Sequence, residues 1–67
     1  MTDREKFTTL MAEFGVTDLR EEKIKNSNDT YLVMEANHTP KVGGYSGFCA
    51  WFGFTDQGKF IDIDIIE

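Results

Sequence analysis

Cysteine, histidine, proline and tryptophan each occur once in this chain, and positive charge is scarce. With Cys49 alone, no intramolecular disulfide can staple the fold, and no Cys/His group has zinc-ligand spacing. Seven Lys+Arg against twelve Asp+Glu give a net charge of −5. That balance argues against nonspecific binding to nucleic acid or to an anionic membrane, both of which need clustered cations. No long apolar run is present to read as a membrane span, and no leader-like segment opens the chain. A lone cysteine in such a chain leads us to expect a reducing, cytoplasmic setting. Repeats and low-complexity tracts are missing too. At 67 residues the whole chain, 1–67, reads as one small domain whose apolar core must suffice without staples.

What is present concentrates in the C-terminal third. Phe60 to Ile66 alternates so that Ile61, Ile63 and Ile65 share one face of a strand and Asp62 and Asp64 the other. Upstream, Tyr45 to Thr55 reads as a second strand, with Phe48, Ala50, Phe52 and Phe54 expected in the core against the three isoleucines. Between them, Asp56 and Gln57 suit a type I turn, and Gly58 can take the left-handed conformation of a bulged closure.

The start of the chain reads as a helix over Thr2 to Phe14. Thr2 and Glu5 have capping-box spacing, and Phe7, Leu10, Met11 and Phe14 recur at i, i+3, i+4, i+7. Gly15 supplies the stop, with Val16 placed for a contact back to the helix. Residues 19–25 are highly charged and fit either a short helix or an edge strand; we favour the strand, followed by a loop at Asn26–Asp29. Thr30 to Ala36 reads as a strand with apolar residues on both faces, suited to a central position or to packing one face on the helix and the other on a partner. Asn37 to Gly44 reads as a loop. The expected fold is α+β: one N-terminal helix packed on a three- or four-stranded antiparallel β-meander.

Candidate sites are few. His38 lacks partners in sequence and reads as a solvated loop histidine. Lys41, Gly43, Gly44 and Tyr45 lie in a glycine-rich loop that offers backbone amides to an anion, but the loop matches no phosphate-binding fingerprint. Asp62 and Asp64, with Glu67 beyond, form an acidic strand face suited to meeting Lys or Arg. Tyr45, Trp51 and Phe60 are expected on the sheet face turned away from the helix, as an apolar patch of the kind that marks interfaces. No nucleophile, base and orienting group can be assembled, so neither an enzyme nor a cofactor or metal site is expected.

Gly44, Tyr45, Ser46, Gly47, Phe48, Phe52, Phe54, Gly58 and Lys59 spell a GYSGF-x-x-x-F-x-F-x-x-x-GK hairpin. In this the chain resembles small proteins encoded by bacteriophages and prophages. The likeness covers the last third, and the helix in pattern alone; Trp51 and the Asp62/Asp64 pair fall outside the motif. Many such proteins have no assigned activity. The resemblance implies a protein acting in a bacterial cytoplasm, as a non-enzymatic inhibitor of host defence such as a CRISPR or nucleotide-signalling system. On that reading Trp51, Tyr45 and Phe60 anchor on a host protein while Asp62, Asp64 and Glu67 meet its basic residues, and a homodimer is also compatible. The alternative is an oligomeric sponge that holds a small anionic signalling nucleotide at Lys41, Gly43, Gly44 and Tyr45.

Overall fold

The computed structural model describes residues 1–42 and 47–66. It contains a helix α1 (Asp3–Glu13) and strands β1 (Arg20–Lys23), β2 (Thr30–Met34), β3 (Cys49–Phe54) and β4 (Phe60–Ile66), with a short 3-10 helix at Thr39–Lys41. The strands form one antiparallel sheet in the order β1-β2-β3-β4. The α+β arrangement expected from the sequence is the one observed, and residues 20–23 are an edge strand.

Local chemistry explains where α1 begins and ends. Thr2 is the N-cap: its hydroxyl accepts from the Glu5 N–H at 3.1 Å, and Glu5 Oε1 accepts from the Thr2 N–H at 2.7 Å. This reciprocal pair satisfies donors that the first helical turn would otherwise leave open. It also holds the Glu5 carboxyl below its ordinary range, first through the Thr2 backbone hydrogen bond. At the other end Gly15 sits at φ 85, its N–H bonded to Ala12 O, while the Val16 N–H returns to Met11 O at 2.9 Å. These two bonds make a Schellman closure, and its hydrophobic contact is present: Val16 and Met11 are buried in one cluster with Met34 and Ala50.

The β3–β4 turn is closed as its residues require. Gly58 N donates to Thr55 O at 2.9 Å, Thr55 N donates to Lys59 O at 2.8 Å, and Gly58 takes φ 83. This turn is also the anchor for α1. Arg4 N donates to Gly58 O at 2.9 Å and Phe60 N to Asp3 Oδ2 at 2.9 Å, so the first turn of the helix is tied to the start of β4. The β1–β2 loop closes with Ile24 N on Asp29 O at 3.0 Å and Asn26 at φ 62. Asparagine tolerates that left-handed conformation better than most residues.

Two expectations about the interior are corrected. Phe54 and Ala50 are buried and Phe7 packs tilted against Phe52 and Phe54, with ring centroids 4.4 and 5.7 Å apart, so the even positions of β3 do face the helix. The three isoleucines, however, do not complete this core: every residue of β4 is exposed. The reason is width. A helix is about 10–12 Å across with its side chains, while four strands about 4.8 Å apart are wider. With α1 seated on β2 and β3, β4 is left outside its shadow.

The second correction concerns the segment 37–42. It contains a 3-10 turn, and His38 is 2% exposed instead of solvated. Its Nδ1 accepts from the Glu35 N–H at 3.1 Å, which places the neutral ring's proton on Nε2. Nε2 lies 2.9 Å from Asp18 Oδ1, but no aligned hydrogen bond forms there, so the contact is close in distance and poor in angle. Thr39, fully buried beside it, donates to Ala36 O at 2.9 Å and accepts from Gly47 N at 3.3 Å. The loop is thereby packed against the segment that enters β1.

Candidate interaction surface

The two faces of the sheet differ in what they leave open. On the face turned away from α1, register puts Arg20, Val33, Trp51 and Asp64 in one cross-strand row, and Glu22, Tyr31, Gly53 and Asp62 in the next. Val33 is fully buried, with Arg20 and Trp51 as its lateral neighbours. Tyr31 covers Gly53 so closely that an added Cβ would meet its Cε1 at 3.3 Å. Trp51, half-buried, lines a shallow hollow of about 150 Å³ with Glu22, Tyr31, Asp64 and Ile66. The outer face is therefore partly sealed by its own aromatic and arginine side chains.

Arg20 is the cation of that face and is already engaged. It pairs with Glu22 and lies 3.4 Å from Glu35, and its pKa is raised, chiefly by the Glu22 hydrogen bond. Asp62 and Asp64 have no cation beside them among the described residues. They carry the uncompensated charge of the β4 edge.

Ile66, opposite Cys49 on the outer face, is exposed, but the face towards α1 is where most of the apolar surface remains open. A β-bulge decides part of this: Phe54 pairs with Phe60 while Gly53 pairs with Asp62, so Ile61 is the extra residue. The bulge turns Phe60 to the helix side, where its ring meets Phe54 edge-on at 5.9 Å. Phe60 was expected on the outer face beside Trp51; it instead borders the core. Beyond the bulge Phe52 pairs with Ile63 and Ala50 with Ile65, so both isoleucines face the helix layer. They are nonetheless 46% and 55% exposed.

The helix contributes the other bank. Arg4, Thr8 and Ala12 line a cleft of about 250 Å³ on the β1 side together with Val16, Leu19 and Leu32. Asp3, Leu10 and Phe14 fall at i, i+7, i+11, on the opposite flank, and Asp3 is the residue that reaches β4. Leu10 and Phe14 are about half exposed. Phe7 packs on Phe52 and Met11 clusters with Ala50, so this flank runs past the Phe52–Ile63 and Ala50–Ile65 pairs in turn. The result is an apolar strip, banked by Leu10 and Phe14 and floored by Ile63 and Ile65, beside a strand edge.

Of the residues singled out from sequence, Trp51, Asp62 and Asp64 share the outer face, and Phe60 leaves it. Lys41 lies near the C-terminal end of α1, its Nζ donating to Gly15 O at 3.4 Å, a favourable place for a cation. Tyr45, Gly43, Gly44 and Glu67 lie outside the described residues. Leu10, Phe14, Ile63 and Ile65 carry the open strip, although their periodicity reads as core. The signal that would have found them is the ratio of one short helix to four strands. Compared with known proteins, the chain matches no family model, no curated protein and no solved structure.

Proposed function

We propose that this chain is a protein-interaction module that acts by covering a partner's surface, and that the partner is a bacterial host protein whose defence activity it blocks. The observation that carries the reading is the position of the exposed large apolar side chains among the described residues. Apart from Met1, the bulge residue Ile61 and Ile66 on the outer face, these are Phe60, Ile63 and Ile65 on the helix side of β4, and Leu10 and Phe14 on the helix flank overlooking it. Scattered single apolar residues need no explanation, but a contiguous strip beside a strand edge is what interfaces are made of. Asp62 and Asp64, unpaired on the opposite face of the same edge strand, suit a partner with basic residues there and would speed its encounter. Phe60 serves in this account as the floor of the strip's end and not as an outer-face anchor beside Trp51.

The test is affinity capture from bacterial lysate with tagged wild type and a tagged Ile63→Ser/Ile65→Ser variant, whose folding is checked by circular dichroism. A stoichiometric protein held by wild type and lost by the folded variant is the expected result. An identical set of proteins on both, or a bound nucleotide in place of a protein, refutes the reading.

A further inference from the structure

Strands β1 and β4 are the two edges of the sheet, and they are protected very differently. β1 is short and reads Arg-Glu-Glu-Lys, with Arg4 of the helix bound to Glu21 over it. Such charged, short, covered edges discourage pairing with another chain. β4 is the longest described strand, seven residues, and no described strand pairs with its outer edge. Beyond Phe60, whose N–H is already held by Asp3 Oδ2, alternate backbone N–H and C=O groups along that edge therefore point outward, ready for a ladder. On one side of the ladder lies the apolar strip, and on the other the two unpaired carboxylates.

We propose that β4 receives an extended segment of a partner protein as a fifth strand, with apolar residues alternating with lysine or arginine. Strand addition takes its affinity from main-chain hydrogen bonds and its specificity from alternate side chains. Here the alternate positions are chemically opposite. Side chains of the incoming strand on the helix side enter the strip between Leu10, Phe14, Ile63 and Ile65. Those on the other side lie across from Asp62 and Asp64, where opposite charge is favoured and like charge is not.

The same geometry argues against a second copy of this chain as the occupant. Antiparallel β4 strands related by a two-fold axis keep both helices on one face, so residues of the same face must pair. Every such register that holds both Asp62 and Asp64 within the ladder sets one carboxylate against another: Asp62 on Asp62, Asp62 on Asp64, or Asp64 on Asp64. Like charges directly opposite are destabilising. A basic, apolar-alternating strand has no such conflict.

This inference rests on the reading of the strip as the docking surface, and the experiment separates the two. The probe is a fluorescent peptide alternating valine and lysine, matched to the seven residues of β4. Its control replaces lysine by glutamate. Two further versions carry N-methyl groups on one or the other alternate set of amides, which blocks one hydrogen-bonding edge of the peptide at a time. Anisotropy titrations with wild type should show the lysine peptide binding about tenfold or more tighter than the glutamate peptide, a difference that two cross-strand charge pairs can supply. One N-methyl set should abolish binding and the other leave it, and Asp62→Asn/Asp64→Asn should remove the preference for lysine. No binding of the lysine peptide, or equal binding of both N-methyl versions, overturns strand addition. If the Ile63→Ser/Ile65→Ser variant still loses its captured partner, the docking surface survives that result. A wild-type protein that sediments as a dimer and gains peptide binding only on dissociation overturns the choice of occupant.

Discussion

Gly58→Ala tests the joint on which helix and hairpin meet. Two separate costs follow from the structure. Gly58 sits at φ 83, a conformation that costs an L-residue with a Cβ roughly 1–2 kcal/mol. The new Cβ would also lie 2.7 Å from Thr2 Cβ and 2.8 Å from Thr2 Oγ1, so the N-cap must shift. Loss of that cap is worth about 1 kcal/mol. The total is about 2–3 kcal/mol, against a stability of roughly 3–10 kcal/mol for a domain of this size. Urea unfolding followed by Trp51 fluorescence and by far-ultraviolet dichroism gives the difference directly. The two costs separate in a double-mutant cycle, because Thr2→Gly removes the obstructing Cβ. In that background Gly58→Ala should cost only the backbone part, about 1–2 kcal/mol. A cost below about 0.5 kcal/mol in wild type, or an unchanged cost in the Thr2→Gly background, would refute the reasoning.

Other outcomes follow from the same contacts. Phe54→Ala empties a fully buried site between Phe7 and Phe60 and should cost about 3–5 kcal/mol, leaving little or no cooperative unfolding transition. Thr39→Val should cost about 1–3 kcal/mol by removing two part-buried hydrogen bonds, one to Ala36 O and one from Gly47 N, read by thermal melting. Ile63→Ser and Ile65→Ser, by contrast, should each cost about 1 kcal/mol or less, since both side chains are already half in water. The Glu5 carboxyl titrates below its ordinary range in the fold, so its contribution is present above the unfolded pKa and is lost as pH falls through the lowered folded value. Glu5→Gln should accordingly flatten the acid limb of the stability–pH profile without altering the neutral-to-alkaline limb; an unchanged acid limb would contradict the capping box.

Much of the fold was legible because it is dictated by short-range chemistry. The Thr2/Glu5 box, the Gly15–Val16 closure and the Thr55–Gly58 turn each need a few residues at fixed spacing, and each is found where its residues stand. The central place of β2 followed from apolar residues on both its faces, and Val33 is indeed buried on the side away from the helix. The site was less legible, for three physical reasons. Alternation assigns Ile63 and Ile65 to a face but does not say whether anything covers that face. A single bulge residue, Ile61, reverses where Phe60 points, and period-two reading assumes no bulge. His38 is buried through Glu35 and Asp18, the latter distant in sequence and brought near only by the folded sheet.

The central claim is that the open helix-side strip and the free edge of β4 together form the docking surface. Methyl and amide NMR of the protein with its captured partner tests this most directly. The account predicts shifts confined to Leu10, Ile63, Ile65 and the ring of Phe14, with the outward-pointing amides of β4 becoming slow to exchange. Shifts centred on β1 or on Trp51 and Tyr31, with β4 amides exchanging as fast as in the free protein, would contradict it.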